Sequence, residues 1–229
     1  MVMPLEVFFH ELEVAGKITT AMFCILFAGY FWNHRRNADL KSTRMVLLGQ
    51  GLFVLCFGMT RLLFLAADYF SPELPEDVVL FVDESLFFLL WKISALVGIL
   101  AIIFLLLVVE TYLVKSRYIF SIIAASGLII ALVSQDVNFS RWTTYITMPL
   151  ALLGVVILYF YLFFKSSGEI RRRAIMSILG LLIFGLGVLL DTTAGKATLT
   201  QILGFFPAFI PLFIMVGGLA IYTYYNVKT

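Results

Sequence analysis

The chain has 229 residues, of which 62% are hydrophobic and 13% charged, with a formal net charge of +2 and a mean hydropathy of +1.04. A soluble domain is nearer half apolar and a quarter charged, so these values exclude a soluble globular protein. The small basic excess gives no support to nucleic-acid binding.

In chain order, the opening segment MVMPLEVFFHELEVAGK is acidic and lacks both a basic n-region and a small-residue cleavage site. It does not read as a cleaved signal peptide. Apolar stretches then predict membrane spans at roughly 15–32, 45–67, 85–114, 117–134, 142–164, 174–191 and 200–225. Most approach the ~20 residues that cross hydrocarbon. Only YLVKSRY separates the third span from the fourth, and fusing them would demand a helix of about 50 residues. No period-two alternation suggests a barrel. The expected fold is an all-α integral membrane protein, a seven-helix bundle forming one domain over 1–229.

Lysine and arginine set the expected orientation. NHRRNADLKSTR carries four, the turn after the third span has Lys115 and Arg117, KSSGEIRRR carries four, and Lys228 lies in the tail, eleven in all. The other side has Lys17, Arg141 and Lys196, with Arg61 and Lys92 inside spans. The N-terminus is expected outside, the C-terminus in the cytoplasm, and the protein in the plasma membrane. Tyr30, Trp32, Tyr112, Tyr118, Tyr222, Tyr224 and Tyr225 fit an aromatic belt at the cytoplasmic interface. Cys24 and Cys56 fall inside spans, which argues against a disulfide.

The second span raises the central question, because CFGMTRLLFLAADYF places Arg61 and Asp68 in an apolar run. Such a charge costs a few kcal/mol unless it is paired, solvated or able to snorkel. At 100° per residue, Gln50, Val54, Arg61 and Asp68 lie within about 40° of one line, predicting a stripe that faces the bundle interior. Asp68 is about 10 Å along the helix from Arg61, so Asp191, Glu84 or Asp83 are the better partners. After Pro72 and Pro75, residues 76–83 form either an amphipathic surface piece or an approach to a third helix capped by Asp83. In the third span Glu84, Trp91, Ala95 and Gly98 align, with Lys92 about 80° to one side. In the sixth, Ser177, Gly180, Phe184, Gly187 and Asp191 share a face, where glycines permit close approach. Pro207 and Pro211 are expected to kink the seventh. Arg61, Asp68, Glu84, Trp91, Lys92 and Asp191 are therefore the candidate ligand-binding residues of an outward-facing polar cavity. The competing reading is a paired arginine that only locks helices. At the inner end of the third span, Glu110 with Lys115 and Arg117 is a candidate cytoplasmic lock.

Seven spans, an outside N-terminus and short loops resemble the broad opsin and G-protein-coupled-receptor architecture. They are also similar to the seven-helix sensory modules that precede prokaryotic histidine kinases. VVETYLVKSRY is superficially similar to the acidic–Arg–aromatic motif that ends the receptors' third helix. The resemblance is one of topology and implies sensing, with no site residues carried over. The last span has no lysine for retinal, and His10 and His34 both lie near membrane surfaces. Neither a Schiff-base chromophore, an intramembrane haem nor a metal centre is expected. No nucleophile–base arrangement supports an enzyme, with intramembrane lipid modification the remote alternative. A receptor or sensor for a polar or zwitterionic small molecule or lipid is expected. The alternatives are a small transporter or channel and a non-catalytic subunit of a membrane complex. Membrane lipids, a cytoplasmic signalling partner and a homo-oligomer are the expected partners.

Overall fold

The computed structural model describes residues 5–71, 82–204 and 209–227. The helices are α1 (Leu5–Asn37), α2 (Lys41–Asp68), α3 (Glu84–Val108), α4 (Ile119–Val133), α5 (Val137–Lys165), α6 (Gly168–Leu190), α7 (Thr193–Leu203) and α8 (Ile210–Val227). A π-helical turn, Val109–Val114, extends α3. Among the described residues six helices, α1, α2, α3, α5, α6 and α8, are long and apolar enough to cross a membrane, and α4 is a shorter apolar helix. This is the make-up of a multi-pass helical membrane protein.

Consecutive helices pack side by side. α1 lies on α2, α2 on α3, α3 on both α4 and α5, α5 on α6, and α6 on α8, which returns to α1. The helices run alternately up and down, which gathers Arg35, Arg36, Lys41, Arg44, Lys115, Arg117, Lys165 and Arg171 to Arg173 at one end. That end is called the basic end. The opposite end holds the start of α1, the close of α2 and α6, and all of α7.

Local chemistry sets several boundaries. Asp83 caps α3 by accepting from the Leu86 amide at 3.0 Å. The Ser85 hydroxyl and that amide together hold the Asp83 carboxyl below the usual aspartate range. Residues 76–81, where a surface helix was the competing expectation, lie outside the described residues. Asp136 caps α5 through the Asn138 and Phe139 amides.

The expected final span, 200–225, is corrected to two helices. Thr192 caps α7 by accepting from the Gly195 amide at 3.1 Å, and Gly204 ends it in the left-handed region at φ 73. Capping at both ends and a polar composition separate α7 from the apolar α8. Pro211 sits in the first turn of α8, where a missing amide does no harm, while Pro207 lies outside the described residues.

Glycines bring α6 and α8 into close backbone contact. A Cβ at Gly180 would meet the Tyr222 amide nitrogen at 2.7 Å and the Gly218 carbonyl oxygen at 2.8 Å. Beside this contact the core is filled by Phe53, Phe57, Ile99, Leu181, Phe184, Met215 and Leu219. Tyr222, expected in the interfacial belt, is instead fully buried in this core.

Candidate functional site

At the end opposite the basic one, six charged side chains join four helices. Arg61 of α2 forms an ion pair with Asp191, the residue that closes α6. The other oxygen of Asp191 lies 3.4 Å from the ammonium of Lys196 on α7. Lys196 pairs with Glu13 on α1, and Glu13 pairs at 3.0 Å with Lys17 one turn along. Lys17 then pairs with Asp68, which returns the chain of contacts to α2. The signs alternate throughout, three cations against three carboxylates.

Burial gives this network its weight. The Arg61 and Asp191 side chains are 7% and 9% exposed, and Lys17 is also buried. Removing such groups from water costs several kcal/mol per ion, offset only when each has opposite charge and hydrogen bonds around it. Arg61 also packs its guanidinium over the Phe57 ring, 4.6 Å from the centroid. Its Nε has no hydrogen-bond partner among the described residues. A buried charged group with a spare donor is poised to accept a further acceptor atom.

The predicted cavity residues divide into two groups. Arg61 and Asp191 meet directly, and Asp68 joins them through Lys17, Glu13 and Lys196. Glu84 is exposed and Trp91 and Lys92 are half-buried on another side of the bundle, where Lys92 donates to the Ser134 carbonyl at 2.6 Å. α3 meets this stretch of α2 through Ser94, which donates to the Thr60 carbonyl at 3.0 Å, and among the described residues Glu84 forms no ion pair with Arg61. The sequence reading missed Glu13, Lys17 and Lys196. The spacing of Glu13 and Lys17, one turn apart in an apolar helix, was the available sign.

A second polar group lies toward the basic end. The Gln50 amide donates to Asn226 Oδ1 at 2.8 Å and to the Tyr159 hydroxyl at 3.3 Å. Asn226 donates to Ser177 at 2.7 Å, and the Tyr159 and Tyr222 hydroxyls are 3.3 Å apart. Aromatic rings in edge-on contact connect the two groups. Phe57, under Arg61, meets Phe184 at 4.6 Å; Phe184 meets Phe53 at 5.9 Å; Phe53 meets Tyr222 at 6.2 Å.

The proposed lock is built differently from expectation. Glu110 is buried in the π turn, and its carboxylate accepts from the Ser116 hydroxyl at 2.7 Å. It also accepts from the Phe120 and Ser121 amides at 3.1 and 3.0 Å and from the Ser121 hydroxyl. It thus caps the start of α4, where free amides and the helix dipole favour an anion. Lys115 and Arg117 are exposed, and among the described residues neither forms an ion pair with Glu110. Both adopt positive φ, 54 and 58, because the four-residue link must reverse the chain. That backbone turns their side chains outward.

No protein-family model matches the chain, nor does any curated protein or solved structure.

Proposed function

We propose that the chain is a seven-span sensor of receptor type, and that the six-charge network is its input element. The loop distribution of lysine and arginine supports an outside N-terminus and a cytoplasmic C-terminus in the plasma membrane. That orientation exposes the network's end to the exterior. A short zwitterion, carrying both signs, matches alternating charges: its anionic group competes with Asp191 for Arg61, and its cationic group competes with Lys17 for Asp68. Opening either pair releases a tie between helices, and a ligand shifts such an equilibrium by its difference in affinity for the two states.

The observation that carries this reading is the chain of alternating charges that runs from Arg61 to Asp68 across α1, α2, α6 and α7. Well-packed apolar residues would hold the same helices at least as well, so stability alone does not call for six buried or half-buried charges. A network with two arrangements suits a switch. A transport path is disfavoured by the aromatic rings packed between the two polar groups, since transporters place polar or broken-helix sites near the midplane.

The test uses purified protein in detergent, with glycine, betaine and choline as probes. One of the two zwitterions is expected to raise the thermal midpoint, and Arg61→Gln is expected to keep the fold and abolish the rise. Flux of ions or amino acids through proteoliposomes, lost in Arg61→Ala, would show a transporter instead. An Arg61→Gln protein that fails to fold, with no response of the native chain to any probe, would leave only helix packing.

A further inference from the structure

Three cations of the bundle are neutralised within the network, and Lys92 is not among them. Among the described residues no carboxylate lies within ion-pair distance of its ammonium. The group is half-buried and donates one hydrogen bond, to the Ser134 carbonyl at the end of α4. An ammonium has three donors, so two remain. It faces a recess of about 190 Å³ between α3, the α4–α5 link and α5, whose lining includes Leu89, Trp91, Asp136 and Ser140.

The setting is that of a headgroup boundary. Trp142 and Tyr145 are exposed nearby, and Trp91 packs edge-on to Tyr145 at 6.4 Å; such rings collect where hydrocarbon meets headgroups. Arg141 lies over the Phe88 and Trp91 rings at 5.2 and 5.4 Å, bringing a second cation to the rim. Leu89 lines the recess and is exposed. The one carboxylate in the lining, Asp136, turns an oxygen to the Asn138 amide at 2.9 Å, which spends part of its charge on the start of α5.

From this geometry we infer that the recess is a phospholipid site. The phosphodiester of a membrane phospholipid accepts from Lys92, with Arg141 at its edge, while the acyl chains run from there along α3 toward the bilayer interior. A phosphate group answers an ammonium that has no carboxylate of its own. The recess lies apart from the six-charge network and does not depend on that network's role.

Native mass spectrometry of the full chain tests this, with phosphatidylethanolamine, phosphatidylglycerol and diacylglycerol added singly. Both phospholipids are expected to bind at least about fivefold tighter than diacylglycerol. Lys92→Gln is expected to erase that preference, Lys92→Arg to retain it, and Lys41→Gln, at the other end, to leave it unchanged. Glycerol phosphate is expected not to displace the bound lipid. Displacement by glycerol phosphate would reassign the recess to a soluble phosphate ester and overturn a lipid occupant. Equal binding of diacylglycerol, or an unaltered preference in Lys92→Gln, would overturn the site altogether. If Lys92→Gln is not recovered folded, the comparison of phospholipid with diacylglycerol on the native chain still decides.

Discussion

Arg61 and Asp191 belong to helices far apart in sequence, and each is the main charge partner of the other. Removing one leaves the other buried with its charge uncompensated, a loss of about 3–5 kcal/mol for a buried pair. Arg61→Gln and Asp191→Asn should each lower stability by about that amount, less a share for the help Lys196 gives Asp191. The double variant should lose clearly less than the sum, because no charge is stranded. Unfolding followed by tryptophan fluorescence gives the coupling energy, and simple additivity would mean the pair is not formed. Glu110 presents the opposite case, a charge satisfied by hydroxyls and amides rather than by a cation. Glu110→Ala should cost about 2–4 kcal/mol by leaving those donors unmet, whereas Lys115→Gln and Arg117→Gln should stay within about 0.5 kcal/mol as exposed substitutions. Comparable losses in all three variants would restore the ionic lock.

At the level of helices, most spans were legible because length and hydropathy are local properties. The stripe of Gln50 and Arg61 was legible too, since 100° spacing projects it onto one face, and both side chains are buried. The break between α7 and α8 was not, because an averaging window merges a polar helix with the apolar one after it. Partners drawn from other helices were equally hidden: Lys17 lies 51 positions from Asp68 and Gln50 lies 176 from Asn226, separations that leave no periodic trace. Close packing of α6 on α8 was foreshadowed by the glycine face of α6. There Gly180→Leu should drive the helices apart and cost about 1–3 kcal/mol or more by overpacking. Gly217→Leu, with no heavy atom within 4 Å of its added Cβ, should be mild. Equal effects would show that the two helices do not approach as described.

Across the whole molecule, the arrangement is an ionic network at one end, a hydrogen-bonded group toward the other, and packed rings between. Arg61 and Gln50 are eleven positions apart on α2, a rise of about 16 Å, so the ionic end reaches the basic end through a rigid helix as well as through the rings. Contact alone does not establish coupling; a two-state element biased from one end and read at the other does. The most direct measurement is the distance between spin labels at Lys41→Cys and Glu169→Cys, both at the basic end, with Cys24 and Cys56 replaced by alanine. Opening the network with Arg61→Gln removes the need for an identified ligand. The account predicts that this distance shifts by about 1–2 Å or more, the scale of helix movements in switching bundles, and that Asp191→Asn shifts it the same way. Folded proteins with superimposable distance distributions, native and variant alike, would contradict it.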